Sequence, residues 1–515
     1  MRRKRSGSFP QTVRFSSDSP WMRRILFRLG ALLLGCLPLA ATEILCRSAG
    51  WGQPDFSTDP FVGFSAVRPL FERTPDGSSF HIAPQRRAFF REDSFAARKP
   101  GNEFRIFVFG GSTVQGNPFS TETSFAEFLR RTLQTMAPDR SWEVVNCGGV
   151  SYASYRLLPV MEECFQYEPD LYIFCEGQNE FLEEVTYSGT RRLTPVLEPL
   201  LSIAGHLQSV RAFVNCCTST GLSENHELSS RPLLHEDVQT LLDQSGGLDR
   251  YHRNDEHTDA VVRHFRFNLE RMTALCRQKN VPLLLIQPPV NLSDCPPFKS
   301  QFSEDTSAQK QAEVLQTLRE ARKRAQDDAV SALTLMQSIV RQEPRYALGW
   351  YELGQIQLTI GDLKNALTSF NRALDEDVCP LRMKSALSQA MQHVAGTHNI
   401  PFLNAHELLG RRCHGGIVGE QVLVDHVHPS FRGHEDIAVE IAVWMEQRGF
   451  VQSQAADWQQ SARQVCRQAV QELDDTYFLR GRRALQALRQ WAAGRALEPD
   501  LVNSTESEPT TTASE

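Results

Sequence analysis

Four short blocks of this 515-residue chain hold side chains able to do covalent chemistry. "FRIFVFGGSTVQG", Phe104 to Gly116, is an apolar run that breaks at two glycines and delivers Ser112. "VNCGGVSYAS" runs from Val145 to Ser154, "GQNEF" carries Asn179, and "LVDHVHPSFRGH" carries Asp425 and His428. A serine hydroxyl is a weak nucleophile until a base takes its proton, and histidine is the side chain suited to that task near neutral pH. A carboxylate three residues before the histidine can reach its far ring nitrogen, fix the tautomer and stabilise the imidazolium. Each block alone has a plainer reading. Ser112 would cap a helix, Asn179 would turn the chain, and Asp425 with His428 would form a surface turn. His426, His428 and His434 with Asp425 would also suit a metal, but that reading leaves Ser112 and Asn179 without a task.

The elements that must position these residues alternate in type. Short apolar runs at Phe104–Phe109, Glu143–Cys147, Leu171–Cys175, Pro282–Gln287 and Pro401–Asn404 fit strands buried on both faces. Amphipathic stretches lie among them: "SFAEFLRRTLQTM", "SYRLLPVMEECFQY", "DAVVRHFRFNLERMTALCRQ", "MKSALSQAMQHVAG" and a final "EDIAVEIAVWMEQ". Such alternation implies crossover connections, an α/β fold and a parallel sheet of about five strands in a three-layer sandwich. Ligands in such sheets bind beyond the carboxyl ends of the strands. Ser112 falls at that edge.

In this order and spacing, the four blocks resemble those of the SGNH (GDSL-like) hydrolases, named for a serine, a glycine, an asparagine and a histidine. The likeness covers residues 100–185 and 400–445, and "PLLLIQPPVNLSDCPPF" also fits. It implies a serine-dependent ester hydrolase with Ser112 as nucleophile, His428 as base and Asp425 as its orienting acid. The oxyanion would then be met by the Ser112 N–H, the Asn179 side-chain amide and a backbone N–H of the second block. Aligning "GVSYAS" with the family's G-V-S-G-A puts Tyr152 where the oxyanion glycine usually sits. Gly149 is the other candidate, and both stay open. Gly111 replaces an aspartate of the family pattern at a position without a catalytic role. The same fold also supports O-acyl transfer, or a silent scaffold. The chemistry calls for no cofactor and no metal.

Between residues 308 and 378, Trp350, Leu353, Gly354, Ala366, Phe370 and Ala373 match the W-x2-L-G…A-x3-F-x2-A spacing of a tetratricopeptide repeat. Gln357 stands where the repeat usually has tyrosine. Ala332, Met336, Ile339 and Pro344 echo the second-helix spacing upstream. This is one and a half to two repeats, too few for an independent solenoid, so the pair is expected to lean on the sheet domain and to offer a surface to a protein partner. The hydrolase domain is thus expected over 100–305 and 380–450, with a polar excursion at 187–255.

The polar extremes sit near the ends. Arg2, Arg3, Lys4, Arg5, Arg14, Arg23 and Arg24 make a basic arm over 1–24, with Arg28 just beyond it, and 498–515 reads as a disordered acidic tail. "ILFRLGALLLGCLPLAATEILC", residues 25–46, reads as a membrane anchor. Its uncharged centre, Leu29–Thr42, is only 14 residues, so flanking Arg28 and Glu43 must be accommodated. Basic residues before it would leave the body outside the cytoplasm, where O-acylated envelope polysaccharide is the natural substrate class. A net charge of −6, with no basic stripe in the body, argues against nucleic acid. Twelve cysteines without a CxxC make no dense disulfide scaffold. Helices at 455–497 carry an Arg-rich face, open to solvent, membrane or an acidic partner. Arg156 and Arg382 are open to either an anionic substrate or a structural ion pair.

Overall fold

The computed structural model describes residues 20–49, 59–187, 209 and 232–496. Most of the basic arm, Cys216 and Cys217, much of the 187–255 excursion and the tail 498–515 lie outside the described residues. The chain divides into two units, Met1–Pro60 with Ser188–Arg231, and Phe61–Tyr187 with Pro232–Glu515.

In the first unit, helix α1 spans Pro20–Ala49, and the Glu43 carboxylate accepts from Ser209 N (2.9 Å) and Oγ (2.8 Å). The expected membrane anchor at 25–46 falls within α1. No helix among the described residues is long and apolar enough to cross a membrane. The physical reason is visible in α1, where Arg23, Arg24, Arg28, Glu43 and Arg47 leave only the 14-residue run 29–42 uncharged, against the roughly 20 residues a span needs.

The second unit is built on a five-stranded, wholly parallel sheet. In chain order its strands are β1 (Glu103–Gly110), β2 (Ser141–Gly148), β3 (Leu171–Cys175), β4 (Leu283–Gln287) and β5 (Phe402–Asn404). In space they run β5-β4-β3-β1-β2. Each observed strand lies within two residues of its apolar run, because a strand covered on both faces is apolar along most of its length. Phe107, Phe109, Val145, Tyr172, Phe174 and Leu285 enter one core, and Ile106, Val108, Val144, Ile173, Leu284 and Ile286 the other. Each fully buried side chain of this kind is worth about 1.5–3 kcal/mol.

Helices α3 (Phe125–Met136), α4 (Ser154–Cys164) and α5 (Asp255–Gln278) follow the short helix α2 (Ser112–Gln115). Four further helices, α6 (Ala308–Arg324), α7 (Ala329–Gln342), α8 (Ala347–Thr359) and α9 (Leu363–Glu376), pack in sequence, each on the next. A Cβ on Gly354 would meet the Phe370 ring at 2.8 Å, so only glycine lets α8 and α9 approach this closely. Ala366, Phe370 and Leu374 of α9 belong to the sheet's own core, which is why so short a helical stack holds. After it come α10 (Ser385–His398), α11 (Ala405–Gly410), α12 (Phe431–Gln447), α13 (Trp458–Gln471) and α14 (Asp475–Ala496). Helices α4, α5 and α10 cover one face of the sheet, and α3, α12 and α13 the other.

The region before β1 holds a small antiparallel sheet of Phe71–Arg73, Ser79–Ile82 and Ser94–Ala96. Arg105, only 1% exposed, ties it to the main sheet. Its guanidinium donates to Glu103 Oε1 (2.7 Å), Tyr167 O (2.9 Å) and Ala96 O (3.0 Å), and lies 4.9 Å from the Phe95 ring.

Candidate active site

The carboxyl ends of β1, β2 and β3 meet the loop before α12. Strand β1 stops at Gly110, and the chain turns sharply into α2 with Ser112 as its first residue. Ser112 is therefore no cap; Gly111 holds that place and offers no side chain. A Cβ on Gly111 would sit 2.3 Å from Glu176 Oε2 and 2.4 Å from Asn179 Nδ2. Only glycine lets the serine turn and the asparagine loop come this close.

Ser112 Oγ lies 2.8 Å from His428 Nε2, a pairing across 316 positions of sequence. His428 Nδ1 lies 2.6 Å from Asp425 Oδ2. The other carboxylate oxygen, Oδ1, accepts from the N–H of Val427 (3.0 Å) and of His428 (2.9 Å). With Nδ1 donating to the carboxylate, Nε2 is left to accept the serine proton. Burial opposes the charge of Asp425, yet His428, His426 and those hydrogen bonds hold its carboxyl well below the usual carboxylate range.

The loop is braced from outside. Val424 N donates to His428 O (2.8 Å), closing the turn. Asn291, in the segment after β4, donates from its backbone N to His426 O (2.9 Å) and from Nδ2 to Asp425 O (3.0 Å). Arg489 of α14 donates to Val424 O (3.1 Å). Asn291 was unmarked in the sequence beyond lying in "PPVNLSD", since nothing local says that a distant turn will need its amide.

On the other side of Ser112, Asn179 Nδ2 donates to Tyr152 O at 3.1 Å. That bond uses one of its two amide hydrogens. The Ser112 N–H has no acceptor among the described residues. The Gly149 N–H is engaged by Gly110 O (2.9 Å), and that of Tyr152 by Gly149 O (3.1 Å). Tyr152 contributes its carbonyl here, while its ring turns away to pack against Phe90 at 4.7 Å and Phe89 at 5.8 Å. Two buried carboxyls underlie this half. Glu176 Oε1 accepts from the N–H of Gly177, Gln178 and Asn179 at 2.9–3.0 Å. Glu180 accepts from Ser154 N (2.8 Å) and Oγ (2.9 Å). Burial pushes Glu176 up to about 7 and Glu180 up to about 8.

The other nominated residues fall elsewhere. His434 accepts from Phe125 N through Nδ1 (3.1 Å), and burial pushes it down to about 3. His426 meets the Phe298 ring edge-on at 5.4 Å and is pushed down by burial to about 4. Among the described residues, no group of three or more His, Cys, Asp or Glu side chains is placed to hold a metal ion. Arg156 forks onto Glu183, with Nη2 to Oε1 at 2.6 Å. Arg382 pairs with Asp377 (3.3 Å) and donates to the carbonyls of Asn291 (2.7 Å) and Cys295 (2.6 Å). Both arginines are structural. Cys46, Cys147, Cys164, Cys175, Cys276, Cys295, Cys413 and Cys466 are free thiols.

No family model matches this chain, and no curated protein matches it. Among solved structures, a lipase/acylhydrolase from Enterococcus faecalis is similar, with 13% identity and a TM-score of 0.31, over 68% of this chain and 100% of the other. A GDSL-like lipase from Bacteroides thetaiotaomicron VPI-5482 shares 11% identity at a TM-score of 0.28, over 69% of this chain and 93% of its own.

Proposed function

We propose that this chain is a serine-dependent ester hydrolase of the SGNH type that works through an acyl-enzyme. The observation that supports the reading is the unbroken hydrogen-bond chain Ser112–His428–Asp425, with distances of 2.8 and 2.6 Å. Ser112 Oγ attacks the ester carbonyl carbon as its proton passes to His428 Nε2. Asp425 holds the ring and offsets the imidazolium charge. The tetrahedral oxyanion is met by the Ser112 N–H and the second amide hydrogen of Asn179. The intermediate collapses, the ester C–O bond breaks, and His428 returns the proton to the departing alkoxide. Water then attacks the acyl-serine with His428 as base, and a carboxylic acid leaves.

Acyl or acetyl esters of envelope polysaccharide are the substrate class in this reading, supported only by the basic residues that precede the apolar run of α1. A protein partner on α6–α9 belongs to the same proposal. A fluorophosphonate probe tests the chemistry. The protein should be labelled, and Ser112→Ala should not; absence of labelling in the unmodified protein sinks the reading. Release of p-nitrophenol from p-nitrophenyl acetate, set against acetyl transfer to an oligosaccharide, separates hydrolase from O-acyltransferase.

A further inference from the structure

Arg86 ends a short helical turn, Pro84–Arg86, in the region before β1. It is 9% exposed. Its guanidinium carbon lies 5.3 Å from the Phe90 ring centroid and 5.7 Å from that of Tyr152. Among the described residues its side chain has no hydrogen-bond acceptor and no ion pair, and its Nε is fully buried without a partner. An arginine carries five N–H donors and a permanent charge. Buried charges are ordinarily paired, because an unpaired one forfeits its hydration without return. A cation–π contact recovers only part of that cost.

The side chain lines a small pocket that is partly open to solvent. Every other charged group on its wall is already engaged. Arg68 pairs with Glu236, and Arg156 with Glu183 at 2.6 Å. Glu163 accepts from Leu70 N (2.6 Å), Phe71 N (2.9 Å) and Tyr167 Oη (3.0 Å). Phe64, Val67 and Pro159 make an apolar side to the same space. Ser112, Asn179 and His428 do not line it, so it is separate from the catalytic cleft, although the Tyr152 ring belongs to one and its carbonyl to the other.

We propose that this pocket binds a small organic carboxylate. Its two oxygens would take the Arg86 fork, a geometry that guanidinium and carboxylate share, and its short hydrocarbon body would lie on the apolar side. Glu163 favours this ligand over phosphate. A carboxylate brings one negative charge beside that glutamate, whereas phosphate near neutral pH brings more, and it has no apolar part to bury.

Titration with butyrate, followed by ligand-observed NMR, tests the proposal on the full chain carrying Ser112→Ala and on the unmodified chain. Saturable binding of equal strength in both is expected. Arg86→Gln should weaken it at least tenfold. So should Ala66→Trp, which adds an indole at the exposed rim and leaves the buried structure intact should Arg86→Gln fold poorly. Inorganic phosphate should bind at least tenfold more weakly than butyrate. The proposal is overturned by absence of saturable butyrate binding, by binding lost in Ser112→Ala but kept in Arg86→Gln, or by phosphate binding as tightly as butyrate.

Discussion

In the two halves of the site the surroundings push buried carboxyls in opposite directions. On the proton-relay side, Asp425 faces an imidazole 2.6 Å away, and its carboxyl is held well below the usual range against the effect of burial. On the oxyanion side, Glu176 and Glu180 are as deeply buried but meet only neutral N–H and O–H donors, and burial carries them up to about 7 and 8. Hydrogen bonds from the backbone and hydroxyl donors around Glu176 and Glu180 soften desolvation without reversing it, whereas the imidazoles beside Asp425 and its hydrogen bonds outweigh it. One side thus favours a charge beside His428, as the proposed mechanism requires. The other uses its carboxyls as acceptors that gather backbone N–H groups and shape the Asn179 loop.

Substitutions can break that contrast at different depths. Removing the nucleophile with Ser112→Ala should lower kcat by about 10⁵–10⁶, read as p-nitrophenyl acetate turnover with the fold checked by circular dichroism; a loss of less than about 10² would show that another group attacks. Asp425→Asn keeps the shape but removes the charge, and should cost about 10⁴ in kcat. A loss of less than about tenfold would show that the Asp425 carboxylate is not what fixes the His428 tautomer. On the other side, Asn179→Ala should cost about 10²–10³ in kcat with KM little changed, and an effect on KM alone would remove Asn179 from the oxyanion role.

Glu176→Gln should be mildest for activity, within about tenfold, and most telling for stability. The folded Glu176 has its pKa raised above the ordinary value to about 7. Its contribution to stability is therefore full below about 4.5 and lost as pH rises through about 7. Between pH 5 and 8 the natural protein should lose more stability than the glutamine variant, by about 1–3 kcal/mol, measured as urea midpoints. Glu180 leaves some decline in both. Equal slopes would mean that Glu176 is already ionised in the folded state.

The five strands were legible because a doubly covered strand is mostly apolar, and its few polar residues, such as Arg105 in β1, must be paired. That Ser112, Asn179 and the Asp425–His428 pair would gather was legible from the resemblance of their four blocks to the SGNH pattern. The small sheet before β1 was not. Its strands are three or four residues long, and "FER" or "SFA" has no period to count. The apolar character of 25–46 was legible, though its uncharged run, residues 29–42, is shorter than the roughly 20 residues a span needs.

What the amino-acid order settled by itself was local: which segments are strands, where they stop, and that a carboxylate and an imidazole three residues apart share a turn. Only the tertiary structure decided the pairing of Ser112 with His428 across 316 positions, the bracing of Asp425 by Asn291, the engagement of the Gly149 and Tyr152 N–H groups, and the isolation of Arg86. Each depends on which distant backbone arrives at a given point, and hydrogen bonds between segments far apart in sequence leave no periodicity in either segment alone.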